Sequence, residues 1–272
     1  MEKSGHFKLA YTDRGQGVPI LFIHGYPLSK NLWEEQIKGL STQFRCIAPD
    51  LRGYGGSWDL TVAYEGYPYS MEMLAEDCAH LLTDLGIEEP VVISGLSMGG
   101  YVSFAFYRLF PQRVRALILT ATRPGADSPQ AQAGRDDAIV SATLYGFEPI
   151  IESMLPKILS PKTYLSNPEL VERVRRIMGE ATAKGIIGSL EGMKERLDST
   201  PMLQKITCPA LIISGADDQI IPTAESHAMK NSIPNAELVV IEDAGHLPNM
   251  EQPEIYNQAV LRFLNALYSE DQ

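Results

Sequence analysis

Cysteine is scarce in this sequence, with three in 272 residues. Cys46, Cys78 and Cys208 are odd in number, far apart and set among apolar residues. That pattern excludes a disulfide framework, and none of the spacings matches a zinc site. We interpret the three as small buried residues, and no residue pattern calls for a metal or an organic cofactor.

Basic residues are also few, since 23 Lys and Arg stand against 34 Asp and Glu, giving a formal net charge of −11. Nucleic-acid binding needs clustered cations that displace counterions, so we expect no nucleic-acid partner. The densest basic run consists of Arg173, Arg175 and Arg176. Neighbouring glutamates indicate that this run is a solvated helix face.

No apolar run is long enough to cross a bilayer, and no charged start followed by an apolar run marks a secretion signal. These two absences predict a cytoplasmic protein with no membrane partner. Internal repeats and low-complexity segments are not evident either. With 44% hydrophobic residues, the chain can bury a large core, while a homo-oligomer stays open.

What the chain does contain is a series of short apolar runs separated by helical patterns. Such runs are typical of strands buried on both faces of a parallel sheet, with the helical stretches as crossovers. The runs lie at 20–23, 44–48, 91–93, 116–119, 210–213 and 238–241. The sequence therefore predicts an α/β fold, with a mostly parallel central sheet and helices on both faces.

The alternation stops between about Thr122 and Pro201, where helical patterns follow one another with proline and glycine between them. One strong helix start lies there, because Asn167 is a capping residue and Pro168 takes the first helical position. We expect an inserted helical cap of about four helices at 123–200. It would separate a first part of the core at 1–122 from a second part at 201–272.

A serine flanked by glycines, in the sequence Gly-Leu-Ser-Met-Gly around Ser97, follows the run at 91–93 directly. An apolar helical pattern at 101–110 comes next. A strand that ends in Gly-x-Ser-x-Gly and turns at once into a helix forces the serine into strained backbone angles. The pattern predicts a nucleophile elbow, with Ser97 at a helix N-terminus that favours developing negative charge.

A nucleophilic serine needs a base and a group that orients the base, and two loops beyond predicted strands offer them. The loop after 210–213 carries Asp217 and Asp218, and the loop after 238–241 carries His246. Ligands of open α/β sheets collect at the carboxyl ends of the strands. Serine, acid, histidine is also the chain order associated with the elbow, whereas His6 and His227 have no strand-end setting.

Several motifs occur together along the chain. They are His24-Gly25-Tyr26-Pro27, the stretch 49–57, the elbow around Ser97, Gly215-Ala216-Asp217-Asp218 with Ile221-Pro222, and Gly245-His246 leading into 251–254. In this combination the chain resembles the α/β-hydrolase superfamily over nearly its whole length. It is most similar to the branch of capped serine hydrolases that holds small carboxylesterases, haloperoxidase-like perhydrolases, enol-lactonases and carbon–carbon bond hydrolases.

The resemblance implies a catalytic triad. Ser97 would be the nucleophile, His246 the general base and then the general acid, and Asp218 the residue that fixes the imidazole tautomer. Asp217 is the rival acid. Asp218 is preferred because the family places the carboxylate three residues after the loop glycine, here Gly215.

The resemblance also implies an oxyanion hole made of two backbone N–H groups, those of Met98 and Tyr26. A serine at the elbow, in place of the aspartate of dehalogenases and epoxide hydrolases, directs the chemistry to acyl groups. We therefore expect a carboxylesterase acting on a small-molecule ester or lactone. Lactone or carbon–carbon bond hydrolysis and perhydrolysis would use the same residues, and a ligand receptor with vestigial activity is the alternative of another class.

Two further features leave alternatives open. Arg123, at the start of the cap, is a candidate for binding a substrate carboxylate, but a salt bridge at the domain junction is favoured for it. Four methionines either line an adaptable pocket or pack the insertion onto the core: Met154, Met178, Met193 and Met202.

Overall fold

The computed structural model of the protein describes residues 6–58 and 69–269. One sheet of seven strands organises these residues. The strands are β1 Tyr11–Arg14, β2 Pro19–Ile23, β3 Arg45–Pro49, β4 Val91–Leu96, β5 Val114–Thr120, β6 Ala210–Gly215 and β7 Ala236–Ile241. Their order is β1-β3-β2-β4-β5-β6-β7. β1 runs antiparallel to β3 and every other pairing is parallel, as the prediction of a mostly parallel sheet requires.

Helices connect the strands. The α-helices are α1 Glu34–Leu40, α2 Met71–Asp84, α3 Met98–Leu109, α4 Pro129–Tyr145, α5 Glu148–Ile158, α6 Pro161–Ser166, α7 Pro168–Met178, α8 Ala183–Lys194, α9 Thr223–Ser232, α10 Pro248–Glu251 and α11 Pro253–Ser269. Short 3-10 turns cover Lys30–Trp33, Pro111–Arg113 and Thr200–Lys205. Within the described residues, no helix combines the length and the apolar character needed to span a membrane.

The alternation of side chains along β2 shows that the sheet is covered on both faces. Ile20 and Phe22 belong to a buried cluster with α1 and α11, whereas Leu21 and Ile23 belong to a second cluster with α2 and α3. Successive side chains of a strand point to opposite faces. The six predicted apolar runs all form strands, and two covered faces explain why most of them carry so few polar residues.

The two edge strands differ from the expectation. β7 is half-buried along most of its length and Glu237 is exposed, so the prediction that the run at 238–241 is buried on both faces is wrong. Its position at the sheet edge, paired with β6 alone, is the physical reason. β1 has the polar sequence Tyr-Thr-Asp-Arg and was not among the six runs.

Five helices, α4–α8, occupy the fully described stretch between β5 and β6, where we expected about four. The additional helix is the short α6, which ends one residue before the Asn167 cap of α7. Asn167 caps as predicted, since its Oδ1 accepts from Leu170 N–H at 3.1 Å. The division of the chain at 123 and 201 stays a prediction.

Backbone hydrogen bonds attach the five-helix segment to the rest of the protein. Thr182 N–H donates to the Gly53 carbonyl at 2.9 Å, and Gly55 N–H donates to the Glu180 carbonyl at 3.0 Å. Gly53 has a φ of +81°, and a Cβ there would lie 2.3 Å from Gly185 Cα. Glycine at position 53 is therefore what allows the two backbones to touch.

Candidate active site

Ser97 lies between the end of β4 and the start of α3, with φ 54° and ψ −113°. A non-glycine residue with positive φ is uncommon, and such strain persists only where the surroundings enforce it. Here the enforcement comes from two hydrogen bonds to the Ser97 backbone. Its N–H donates to the Thr120 carbonyl at 2.9 Å, and its carbonyl accepts from the Thr122 hydroxyl at 2.8 Å.

Glycines around Ser97 are required by close packing. A Cβ on Gly99 would lie 2.1 Å from the Ile23 carbonyl oxygen, and one on Gly95 would lie 2.3 Å from the Gly99 carbonyl oxygen. Both contacts are to backbone, which cannot move aside as a flexible side chain can. The first turn of α3 therefore sits directly against the ends of β2 and β4.

His246 and Asp218 meet at the carboxyl ends of β6 and β7. The Nδ1 of His246 lies 2.8 Å from Asp218 Oδ2, and both side chains are buried. The other oxygen of Asp218 accepts from the N–H groups of Ile220 and Ile221, at 2.8 and 3.0 Å. Asp217, by contrast, is exposed. Of the two adjacent carboxylates, the structure brings Asp218 to the histidine.

Glu251 holds the loop that carries His246. Its Oε1 accepts from Gly245 N–H at 2.7 Å and its Oε2 from Ser160 N–H at 2.9 Å. His246 N–H in turn donates to the Ile158 carbonyl at 3.1 Å. Burial raises the pKa of Glu251, although the hydrogen bonds from Gly245 and Ser160 oppose the shift. The histidine loop is thus joined to the turn between α5 and α6, a relation that the sequence did not reveal.

The loop His24-Gly25-Tyr26-Pro27 lies against the elbow. A Cβ on Gly25 would be 3.2 Å from Ser97 Cβ and 3.0 Å from the Leu96 carbonyl oxygen. Tyr26 follows Gly25 directly, and Met98 is the first residue of α3. The two residues predicted to supply backbone donors therefore flank Ser97.

The buried His24 side chain connects this loop to the loop that carries Leu51. Its Nδ1 lies 2.9 Å from the Gly25 carbonyl oxygen, and its Nε2 lies 2.9 Å from Leu51 N. Because Leu51 N–H must donate, Nε2 accepts and Nδ1 carries the proton, which is the neutral imidazole. Burial lowers the pKa of His24 to about 4. The side chain is therefore a structural link between the two loops that carry Gly25 and Leu51.

A cavity of about 850 Å³ opens over the elbow, and Ser97, His246 and Tyr26 all line it. Much of the remaining wall is apolar and comes from α4, α5 and α8. Residues of this wall include Ala131, Ala138, Ile150, Met154, Leu190 and Met193. Of the four methionines considered above, Met154 and Met193 reach the cavity, whereas Met178 is buried in the core and Met202 packs against it.

Arg123 forms an ion pair with Asp127, with Nη2 3.1 Å from Oδ1, which agrees with the interpretation as a junction residue. The arginine that lines the cavity is Arg135 on α4, which the sequence reasoning missed. A signal was present, since Ala131, Arg135 and Ala138 follow the spacing of one helix face. That spacing shows a shared face but not that the face overlies Ser97.

The strand, the tight serine turn and the helix lie at the same sheet edge as the histidine and acid loops. The sequence profile described as "alpha/beta hydrolase fold" matches residues 18–253.

The chain belongs to the α/β-hydrolase fold family.

Relatives within the α/β-hydrolases span nearly the same length. A 3-oxoadipate enol-lactonase of Acinetobacter baylyi is 30% identical over 254 residues, covering 93% of this chain and 91% of the relative. A non-heme chloroperoxidase of Kitasatospora aureofaciens is 29% identical, covering 95% of this chain and 96% of the relative.

Among solved structures, a thermophilic esterase from Thermogutta terrifontis, determined with malate bound, has a TM-score of 0.90 and 41% identity. The similarity covers 95% of this chain and 93% of that chain. The protein is accordingly an α/β-hydrolase of the group that holds esterases, enol-lactonases and haloperoxidase-like enzymes.

Proposed function

We propose that this α/β-hydrolase is a carboxylesterase that cleaves small esters through an acyl-enzyme on Ser97. One observation carries the proposal: Ser97 and His246 line the same cavity, while the Nδ1 of that histidine is engaged by buried Asp218. This leaves the Nε2 of His246 as the nitrogen that can serve the cavity. The esterase with 41% identity supports the assignment to esters.

In the first half of the reaction, His246 Nε2 takes the proton of the Ser97 hydroxyl as Oγ attacks the ester carbonyl carbon. The tetrahedral intermediate then collapses, the carbon–oxygen bond to the alcohol breaks, and the histidine returns the proton to the leaving alcohol. Asp218 keeps the imidazole in the tautomer with hydrogen on Nδ1 and stabilises the cation that forms between the two proton transfers.

In the second half, water replaces the alcohol. His246 takes a proton from water as the oxygen attacks the acyl carbon, and the carboxylic acid leaves as Ser97 regains its proton. The backbone N–H groups of Tyr26 and Met98 are the proposed donors to the oxyanion in both halves. The position of Met98 at the start of α3 supports this role, because N–H groups in the first turn have no partner within the helix.

Lactone hydrolysis is the second candidate, favoured by the Acinetobacter relative named as an enol-lactonase. It requires the same bonds to form and break, with the alcohol kept in the opened product. Carbon–carbon bond hydrolysis and perhydrolysis would use the same proposed triad. The chloroperoxidase relative is the reason to consider perhydrolysis. Turnover of any substrate that depends on Ser97 separates these enzymes from a receptor that binds without turnover.

The test is hydrolysis of 4-nitrophenyl esters from acetate to decanoate by the wild type, Ser97→Ala and Ser103→Ala. Ser103 is the matched control, since it lies on α3, hydrogen-bonds the Gly99 carbonyl at 2.7 Å and is not among the cavity residues. We expect turnover that falls to near background in Ser97→Ala and persists in Ser103→Ala. Equal turnover in the wild type and Ser97→Ala contradicts the proposal. Negligible turnover of every ester also contradicts it and points instead to lactones, carbon–carbon substrates or a receptor.

A further inference from the structure

The cavity that contains Ser97 is also lined by an arginine with unused hydrogen-bond donors. Arg135 lines this cavity, and its Nε donates to Asp127 Oδ2, with Nη2 3.4 Å from Oδ1 of the same carboxylate. Its remaining nitrogen, Nη1, donates to no protein acceptor within the described residues. The guanidinium is therefore fixed on one edge by Asp127 and has two N–H groups free on the other.

Asp127 cannot neutralise this cation, because two further arginines share it. Arg123 and Arg196 place Nη2 and Nη1 at 3.1 and 2.6 Å from Asp127 Oδ1, and the carboxylate is fully buried. Three guanidinium groups thus meet one carboxylate. Positive charge remains on the side of the cluster where Arg135 reaches the cavity.

The other charges on the described wall of the cavity do not cancel this excess. Lys157 and Asp137 are both exposed and of opposite sign. Arg196, behind the wall, also stacks on Tyr101 with its Cζ 4.1 Å from the ring centroid. The cavity wall therefore combines apolar side chains with an excess of positive charge, in a protein whose formal net charge is −11.

Tyr26 supplies the second, independent observation. Its side chain is 8% exposed and lines the cavity, and its hydroxyl is buried without a hydrogen-bond partner. Buried hydroxyls in folded proteins are normally paired. The charge of Arg135 also reaches Tyr26 electrostatically. A ligand group that accepts hydrogen bonds from both side chains would satisfy the hydroxyl and the free edge of the guanidinium together.

We infer that the substrate carries a carboxylate, bound by Arg135 and the Tyr26 hydroxyl, in addition to the ester or lactone group presented to Ser97. This inference rests on the proposed function and names its substrate class. Tyr26 offers its backbone N–H at one end and its hydroxyl at the other. The spacer between the carboxylate and the reacting carbonyl is therefore a few carbons long and packs on the apolar wall. Monoesters of short dicarboxylic acids and carboxylated lactones have this shape.

The experiment compares two substrates of equal length, mono-4-nitrophenyl glutarate and 4-nitrophenyl pentanoate, in which a carboxylate replaces a methyl group. A second pair, 4-carboxyphenyl butanoate and its methyl ester, places the carboxylate on the alcohol side. The readout is the ratio of kcat/KM for the anionic substrate to that for the neutral one. We expect a ratio well above one in at least one pair.

Variants locate the effect. Arg135→Gln is expected to lower the ratio roughly tenfold or more, and Tyr26→Phe roughly threefold or more, as loss of hydrogen bonds to a charged group implies. Arg135→Lys keeps the charge and should retain part of the preference. Arg175→Gln is the matched control. It removes one positive charge from an arginine of α7 that pairs with Glu152 of α5 and is not a cavity residue. Its ratio should equal that of the wild type.

One measurement needs no variant and so does not depend on folding of Arg135→Gln. Glutarate should inhibit hydrolysis of the neutral ester by the wild type competitively and at lower concentration than pentanoate does. If neutral esters are hydrolysed but both ratios are at or below one, or Arg135→Gln leaves the ratio unchanged, the inference is overturned and the esterase proposal stands. If none of the four esters is hydrolysed, the proposed function itself fails.

Discussion

Glu251 accepts a hydrogen bond from the backbone N–H of Gly245 at 2.7 Å, one residue before His246. The second oxygen of Glu251 accepts from Ser160 N–H, so a single carboxylate joins the histidine loop to the start of α6. Glutamine can supply only one acceptor oxygen here, and its amide nitrogen would face an N–H donor.

Glu251→Gln is therefore expected to lower kcat roughly ten- to a hundredfold with little change in KM, because a small displacement of His246 is costly to proton transfer. Glu254→Gln is the control, since Glu254 is an exposed neighbour on α11. Steady-state kinetics on a short ester measures both. A Glu251→Gln enzyme with the kcat of the wild type would show that the bridge does not position the histidine.

Asp218→Asn and Asp217→Asn form a second matched pair. The carboxylate of Asp218 contacts His246 Nδ1 at 2.8 Å, whereas Asp217 is exposed. An asparagine at position 218 favours the wrong imidazole tautomer, which in comparable triads lowers kcat about 10,000-fold. We expect a loss of that order for Asp218→Asn and kcat near the wild type for Asp217→Asn. The reverse order would assign the acid role to Asp217.

His24 makes stability depend on pH. Its pKa falls from 6.5 to about 4 on folding, so between these values the unfolded chain binds a proton that the folded protein excludes. The contribution of His24 to the free energy of unfolding is fully present above about pH 6.5 and is lost as the pH falls toward 4. The total is about 3 kcal/mol as an order of magnitude.

The check compares urea unfolding of the wild type and His24→Gln between pH 7.5 and 4.5. Glutamine can accept from Leu51 N–H without titrating, so the free energy of unfolding of His24→Gln should decline less steeply with acid. Parallel curves for the two proteins would mean that His24 is not the source of the acid sensitivity.

Glycines divide into required and replaceable positions. Gly99→Ala would place a methyl 2.1 Å from the Ile23 carbonyl oxygen, and the clash should lower the free energy of unfolding by several kcal/mol. Gly134 lies inside α4 with nothing within 4 Å of an added Cβ. Gly134→Ala should raise stability by roughly 1 kcal/mol through helix propensity. Thermal unfolding of the two variants tests both signs, and a stable Gly99→Ala protein would refute the packing argument.

Much of the fold follows from local patterns. The six apolar runs predict six strands because buried parallel strands exclude polar residues, and the elbow motif predicts the strained backbone of Ser97. β1 escaped this reasoning because an edge strand of four partly exposed residues needs no apolar run. The half-burial of β7 has the same origin, since edge position is a property of the whole sheet and not of the segment.

The site is less accessible to sequence reasoning. Spacing alone leaves Asp217 and Asp218 as alternatives, because the turn that aims one carboxylate at His246 is set by backbone contacts. Arg135 and Glu251 were missed as site residues for a related reason. Each acts across elements far apart in the chain, with α4 laid over the elbow and α10 joined to the start of α6. Such placements depend on how the helices pack over the sheet.

The proposed mechanism requires that Ser97 become acylated during turnover. The direct measurement is mass spectrometry of peptides from protein quenched in acid while it hydrolyses 4-nitrophenyl butanoate, with Ser97→Ala as the control. We expect a butanoyl group on the peptide that contains Ser97 and no acylated peptide in Ser97→Ala. Rapid turnover with the acyl group on another residue, or an equal amount of acylated protein in Ser97→Ala, would contradict it.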